Sequence, residues 1–325
     1  VCIDNISVGD SPTWLQNKLK SIGLSPLNNV VDITNYVLHE IGQPLHAYDL
    51  DKISSKTVQV KTLKDKTKFI TLDGESRELK KSDLMICDKD SPICIAGVFG
   101  GINHGISNET SSIFLESAYF NPVSIRKTAK HHNLNTDASF RFERGICIDT
   151  VEYALKRAAI LICEICNGKI SSDIIDEYPK RPEETSILLN FEKTNKLIGQ
   201  EIPREQIKSI LTSLDFKINN ITETGVGITV PFYRHDVTRE CDVVEEILRI
   251  YGYNKISLSN KLSIPVNQEN LSLSYKTENI ISNLLTPLGF NEIMNNSLTN
   301  NKLNISERKE VKILNSISSD ISQLR

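Results

Sequence analysis

Apolar residues recur along this chain at two spacings, and each spacing predicts an element. Trp14, Leu15, Leu19 and Ile22 follow Ser11, Pro12 and Thr13 and stop before Gly23, which predicts a short capped helix. Val151, Leu155, Ala158, Ile162 and Cys166 share one face of a long helix predicted over 149–166, with Gly168 just beyond it. FITLDGESREL predicts a hairpin, with Asp73 and Gly74 taking the left-handed positions of its turn. Ile93, Ile95 and Val98 predict a short buried strand that ends at Gly100 and Gly101. In TDASFRFERG, 136–145, Phe140 and Phe142 alternate with charged residues. That alternation predicts a strand with both rings inward, and the small residues before it leave room for the floor of a pocket.

EYPKRPEETS, 177–186, is a linker by composition. Beyond it, 191–198 and 204–214 read as short helices, 225–230 as a strand, and a further helix starts near 240. Together they predict a compact winged-helix-like unit. The pattern weakens again over 257–272. A helix follows, with Ile280, Leu284 and Leu288 on one face and Gly289 as its stop, and then a strand. The expected class is α+β and multidomain. A mixed α/β module covers 1–178, a small winged-helix-like α+β domain 179–256, and the truncated start of a third module 257–325.

The chain has 325 residues, 39% hydrophobic and 24% charged, which fits two or three globular domains and excludes a disordered chain. Its net charge of −3 does not announce a nucleic-acid partner, so any such partner must meet a local patch. Seven scattered cysteines, an odd number, favour a reducing cytoplasmic setting over a disulfide framework. No apolar run reaches the roughly 18 residues of a membrane span. The start, VCIDNISVGDSP, lacks a signal-peptide pattern and an initiator Met, and the end, SSDISQLR, is abrupt. The expectation is a piece of a longer protein.

Cys163 and Cys166 form a CxxC pair with no second ligand pair at zinc spacing, so core packing is expected. Arg126, Lys127, Lys130, His131, His132, Arg141 and Arg144 form the densest basic stretch, either a solvated face or a patch for phosphates. YRHDVTRECDVVEEILRIYGY, 233–253, concentrates acids at a helix start. Asp242, Glu245, Glu246 and Arg249 share one face, and Val243, Val244, Ile247, Leu248 and Tyr251 make the opposite stripe. Asp242 suits a helix cap with Glu245 in the capping-box position. Asp236 lies upstream, able to fold back on the same face, and clustered carboxylates repel unless a cation such as Mg²⁺ neutralises them. A capped helix, a metal site and a carboxylate pair for hydrolysis all stay open on spacing alone.

Four stretches together resemble one family: NNVVDITNYVLHEIGQPLHAYDLDKI (28–53), IAGVFGGINHGISNETSSIFLESAYFNPVSIRKTA (95–129), TDASFRFERG, and VPFYRHDVTRECDVVEEILRIYGYNKI (230–256). They are similar, in order and spacing, to the β subunit of bacterial phenylalanyl-tRNA synthetase. The resemblance covers nearly the whole chain.

It implies an editing module over 1–178 that hydrolyses tyrosine misplaced on tRNA(Phe), then the small domain, then the start of a class II synthetase-like module without synthetase activity. Aminoacylation, with its ATP, belongs to the α subunit, so no aminoacylation catalyst is expected here. By motif position the editing pocket falls on Thr34, Asn35, Pro44, His46, Gly100, Glu116, Thr136 and Ala138. Glu116 would read the tyrosyl hydroxyl, His46 would place the ester or the attacking water, and Ala138 would keep the pocket open. Asp236, Asp242, Glu245 and Glu246, but not Glu240, would bind Mg²⁺ at the α-subunit contact. The implied partners are tRNA(Phe) and the α subunit in a heterotetramer of two α and two β, with no membrane. Two rival readings are a scaffold with an inert editing pocket and a Mg²⁺-dependent hydrolase. The sequence departs from the family at Asn135, where Arg is frequent, at Cys241, where an acid is common, and at Ser316, where proline is usual. Asn135 would weaken a tRNA contact.

Overall fold

The structure is a computed structural model that describes residues 1–89, 91–257, 273–300 and 311–324. It divides into two compact units, Val1–Ser257 and Leu258–Arg325. The first opens with strand β1 (Cys2–Asp4), helices α1 (Thr13–Ser21) and α2 (Asn29–Ile41), and strand β2 (Leu45–Asp49). Short strands follow: β3 (Val58–Thr62), β4 (Lys68–Ile70), β5 (Ser76–Glu78), β6 (Leu84–Asp88), β7 (Ser91–Ile95), β8 (Phe99–Gly100) and β9 (Ser112–Ser117). Then come α3 (Pro122–His132), α4 (Asp137–Phe142), α5 (Val151–Ile165) and β10 (Lys169–Ile170).

These strands make two antiparallel sheets, ordered β10-β1-β9-β2 and β3-β6-β7-β8, and a β4–β5 hairpin. Ile3, Ala47, Ile113 and Leu115 of the first sheet form one core with Leu15 and Leu19 of α1, Val30, Ile33 and Val37 of α2, and Ala158 and Ile162 of α5. Met85, Ile93 and Ile95 of the second sheet form another core with Tyr48, Ile125 of α3 and Phe142 of α4. Local chemistry sets the elements. Asn28 Oδ1 accepts from the Val31 amide at 2.9 Å and starts α2. Buried Asp32 accepts from Ser11 Oγ at 2.5 Å and from the Leu27 amide at 2.9 Å, which ties the chain before α2 to its first turn.

Several expected elements take a different form. α1 buries only Leu15 and Leu19, and Trp14 and Ile22 are half-exposed. In the hairpin only Gly74 is left-handed, at φ 80°. Asp73 instead accepts from the Glu75 amide at 3.1 Å and from Thr71 Oγ1 at 2.5 Å, so it braces the turn by its side chain. The stretch 136–145 is not a strand. Thr136 Oγ1 accepts from the Ser139 amide at 3.0 Å while Ser139 Oγ accepts from the Thr136 amide at 3.0 Å, a capping box that starts α4. Phe142 is buried, and Phe140 stays half-exposed under Arg144, whose guanidinium carbon lies 3.6 Å from the ring centroid. Cys166 is buried beside partly buried Cys163 in the first core, as core packing requires.

The remainder of the first unit adds β11 (Ser186–Asn190), α6 (Phe191–Ile198), α7 (Arg204–Ser213), β12 (Lys217–Ile221), β13 (Gly225–Thr229) and α8 (Glu240–Tyr251). An antiparallel β11-β13-β12 sheet packs on the three helices around Leu189, Ile207, Leu211, Val226, Val243 and Ile247. Gly145, left-handed at φ 92°, accepts the ring of His235 against its bare Cα; a Cβ there would lie 2.8 Å from His235 Cδ2.

The second unit holds α9 (Leu273–Leu285) and a pair formed by β14 (Leu298–Thr299) and β15 (Gln323–Leu324). Gly289 is left-handed at φ 88° as expected, and Ile280, Leu284 and Leu288 are exposed. Most of the expected 257–272 linker lies outside the described residues.

Ile113 is fully buried in the central strand β9. Ile113→Ala should lower stability by about 2–5 kcal/mol in chemical unfolding, and a loss below about 1 kcal/mol would contradict this packing.

Candidate functional site

Strands β2 and β9 lie side by side with His46 opposite Glu116 and Tyr48 opposite Phe114. Side chains alternate along a strand. Ala47, Ile113 and Leu115 therefore serve the first core, while His46, Tyr48, Phe114 and Glu116 share the other face. There Tyr48 donates its hydroxyl to Glu116 Oε2 at 2.8 Å. The His46 ring stands edge-on to Tyr48 with centroids 4.4 Å apart. Gly100 of β8 closes on the same place. A Cβ at Gly100 would lie 3.1 Å from His46 Cε1 and 3.0 Å from Leu72 Cδ1.

Tyr48 is fully buried, and His46 and Glu116 are partly so. Burial pushes the Glu116 carboxyl up to about 7, opposed by the Tyr48 hydrogen bond. Burial lowers the His46 imidazole to about 4, so it is neutral near pH 7. Burial also lifts the neighbouring Cys94 thiol, helped by the charge of Glu116.

The other residues expected at the pocket are held by bonds of their own. Thr34 is buried in α2, and its hydroxyl donates to Val31 O at 2.7 Å. Among the described residues the Asn35 side chain makes no hydrogen bond. Pro44 is buried, and its carbonyl accepts from Gln43 Nε2 at 3.1 Å. Thr136 donates to Val98 O at 2.8 Å, two residues before Gly100, and Ala138 packs at the edge of the second core. The structure thus places His46 opposite Glu116 and against Gly100. Two clefts of about 170 and 450 Å³ lie elsewhere, one along Tyr119, Ile146 and His235 and one along Arg77, Lys80 and His131; neither contains an expected site residue.

Sequence reasoning missed Tyr48. It sits two residues after His46, hence on the same strand face, and a buried tyrosine needs a partner for its hydroxyl.

The acidic stretch is arranged around arginines. Arg234 bonds Asp236 through Nε at 3.0 Å and Nη2 at 2.8 Å, and Glu246 through Nη1 at 2.7 Å. Arg249 Nη2 reaches the same Glu246 at 2.5 Å. These hydrogen bonds hold the Glu246 carboxyl down at about 2. Asp242 is not the helix cap. Arg239 takes that position, and Asp242 Oδ2 reaches back to the Arg239 amide at 2.8 Å and the Thr238 amide at 3.0 Å. Arg239 Nη2 binds Asp242 Oδ1 at 2.9 Å. Glu245 is exposed. Glu240, outside the expected set, accepts from the Asn190 amide at 2.7 Å and pins α8 to the end of β11. Among the described residues no group of three or more His, Cys, Asp or Glu side chains is placed to hold a metal ion. As arranged, three of the four expected ligands are neutralised by guanidinium groups and do not fit a shared Mg²⁺.

In the basic stretch Arg126, Lys127 and Lys130 are exposed on α3. His132 turns inward, with Nε2 at 2.7 Å from Asp83 Oδ2.

Residues 1–167 match the family described as B3/4 domain, 187–253 the tRNA synthetase B5 domain, and 259–325 the phenylalanyl tRNA synthetase beta chain CLM domain. The chain belongs to the phenylalanyl-tRNA synthetase β-subunit family. It is 49% identical to the phenylalanine–tRNA ligase beta subunit of Bacteroides thetaiotaomicron over 100% of this chain and 40% of that one. The corresponding subunit of Porphyromonas gingivalis is 50% identical over 91% of this chain and 36% of that one. That of Carboxydothermus hydrogenoformans is 40% identical over 100% of this chain and 41% of that one. The chain thus spans about 40% of the length of these relatives. A crystal structure of an N-terminal fragment of the phenylalanyl-tRNA synthetase beta-subunit from Pyrococcus horikoshii is 15% identical, with a TM-score of 0.35 over 78% of this chain and 70% of that one. At that score the likeness carries no structural detail across. No helix among the described residues is long and apolar enough to cross a membrane.

The raised Glu116 carboxyl has a thermodynamic signature. The folded chain holds this proton up to about 7, whereas the unfolded carboxyl releases it near 4.5. The favourable contribution is therefore full below the lower value and is lost as pH rises through the window between them. Relative to wild type, Glu116→Gln should gain about 1–3 kcal/mol of stability between about pH 5 and about pH 8. Urea unfolding at both pH values checks this, and parallel pH dependences for the two proteins would contradict it.

Proposed function

We propose that this chain is the editing and docking portion of a phenylalanine–tRNA ligase β subunit, clearing tyrosine wrongly esterified to tRNA(Phe). The observation that carries the reading is the partly buried Glu116 carboxylate, opposite neutral His46, which lies against the bare Gly100, with one oxygen bound by Tyr48. An apolar synthetic pocket rejects an added hydroxyl by only about 10²-fold, so a second site that accepts tyrosine and refuses phenylalanine is needed. A carboxylate serves that purpose because a phenylalanyl side chain leaves it unpaired. His46 positions the ester or the attacking water, Thr34, Asn35, Pro44, Thr136 and Ala138 shape the pocket, and hydrolysis depends on placement.

In the whole enzyme the α subunit charges tRNA(Phe) with ATP, in a cytoplasmic heterotetramer of two α and two β. We assign Asp236, Asp242, Glu245 and Glu246 to the α-subunit contact. Mg²⁺ binding there requires partner groups to draw Arg234, Arg239 and Arg249 away. The chain alone should therefore keep its thermal unfolding midpoint when millimolar MgCl₂ is added. A clear rise would reveal a preformed cation site.

Glu116→Ala in the assembled enzyme should slow deacylation of tyrosyl-tRNA(Phe) by roughly ten-fold or more while phenylalanine charging stays near wild type. Equal clearing by both enzymes would sink the assignment of Glu116. Absence of clearing by wild type would favour a scaffold with an inert pocket.

A further inference from the structure

We propose that Tyr48 is a positioning residue for substrate discrimination: its hydroxyl pins Glu116 through Oε2 and leaves Oε1 as the acceptor for a substrate phenol. This inference rests on the editing reading above and names a residue that sets its specificity.

The geometry is restrictive. Tyr48 is fully buried, its ring lies edge-on to His46 at 4.4 Å and tilted against Phe114 at 6.0 Å, and it belongs to the second core. The phenol has no free arc in which to swing, so its 2.8 Å hydrogen bond fixes one carboxylate oxygen. Glu116 Oε1 has no hydrogen-bond partner among the described residues. A carboxylate accepts from more than one donor at once. The chain's own phenol therefore occupies one oxygen, and the other is left to accept from a second phenol. A phenylalanyl side chain offers that oxygen nothing.

The titratable groups that face Glu116 are Tyr48 and His46 from β2 and Cys94 from β7. Burial keeps the phenol and thiol protonated and the imidazole neutral. Of these four groups Glu116 alone changes charge near pH 7. The Tyr48 hydrogen bond favours its ionised form. An ionised carboxylate is the stronger acceptor for a phenol. Preference for a tyrosyl over a phenylalanyl ester should thus rise with pH through the Glu116 titration, and Tyr48 should set where that rise occurs.

The test uses the full-length β chain assembled with its α subunit. Deacylation of tyrosyl- and phenylalanyl-tRNA(Phe) is followed against pH for wild type, Tyr48→Phe and Glu116→Gln. For Tyr48→Phe the midpoint of the tyrosyl preference should move up by roughly one pH unit. Near neutrality the preference should fall up to about ten-fold, with the change in KM and kcat retained. Glu116→Gln should show no titration in this range. A merely structural role for Tyr48 would lower kcat for both esters and leave the midpoint in place, which would overturn the proposal. So would an unchanged midpoint and preference. Wild type that clears neither ester would instead overturn the editing reading, and this inference with it. Should Tyr48→Phe fail to assemble, 3-fluorotyrosine placed at position 48 decides the matter. Its more acidic phenol donates more strongly, so the midpoint should move down, and no movement would overturn the proposal.

Discussion

The register of β9 against β2 is the constraint on which this molecule depends. With His46 opposite Glu116, alternation sends Ile113, Leu115 and Ala47 into one core and Phe114 and Tyr48 to the other. A slip by one residue would turn apolar side chains toward the site face and carboxylate toward the helices. Fully burying an aliphatic side chain is worth about 1.5–3 kcal/mol, so several such positions hold the register firmly. The same pairing brings Tyr48 and Glu116 within hydrogen-bond reach. Packing and chemistry are thus two faces of a single strand pair.

Two long helices were legible in the sequence because their periodicity reports burial directly, whereas α2, which is longer than α8, was not predicted from it. α5 and α8 follow their apolar stripes, and Gly289 ends its helix as a left-handed residue. The very short strands were not legible. β1 and β10 contribute three and two residues and owe their pairing to distant chain segments. β12, KINNI, is largely exposed and shows no alternation to read. In 136–145 the two phenylalanines imitated a strand, while the capping exchange between Thr136 and Ser139 pointed to a helix. The candidate site was named chiefly through family resemblance. His46, Gly100 and Glu116 lie far apart in sequence, and periodicity does not reveal what sheet pairing brings together.

Charge tells a related story. Counting acids between 236 and 246 suggested mutual repulsion that a cation would relieve, with a metal site as one of three open readings. Arginines 234 and 249 flank those acids and Arg239 lies among them, and each meets a carboxylate within 3 Å. Arg234 is the most consequential, since its guanidinium joins the turn before α8 to the buried Glu246 on the helix. A planar, permanently charged fork suits such bidentate contacts, and lysine would not replace it.

The bare Cα of Gly145 under the His235 ring bears on how this chain could be taken apart. Family boundaries suggest cassettes that could be recombined at will. At this point, however, one segment has left out a side chain so that another can lay a ring in its place. A donor segment carrying His235 needs a host with glycine at 145, and a host without that glycine needs something smaller than histidine. The two segments are separable in sequence and matched as parts.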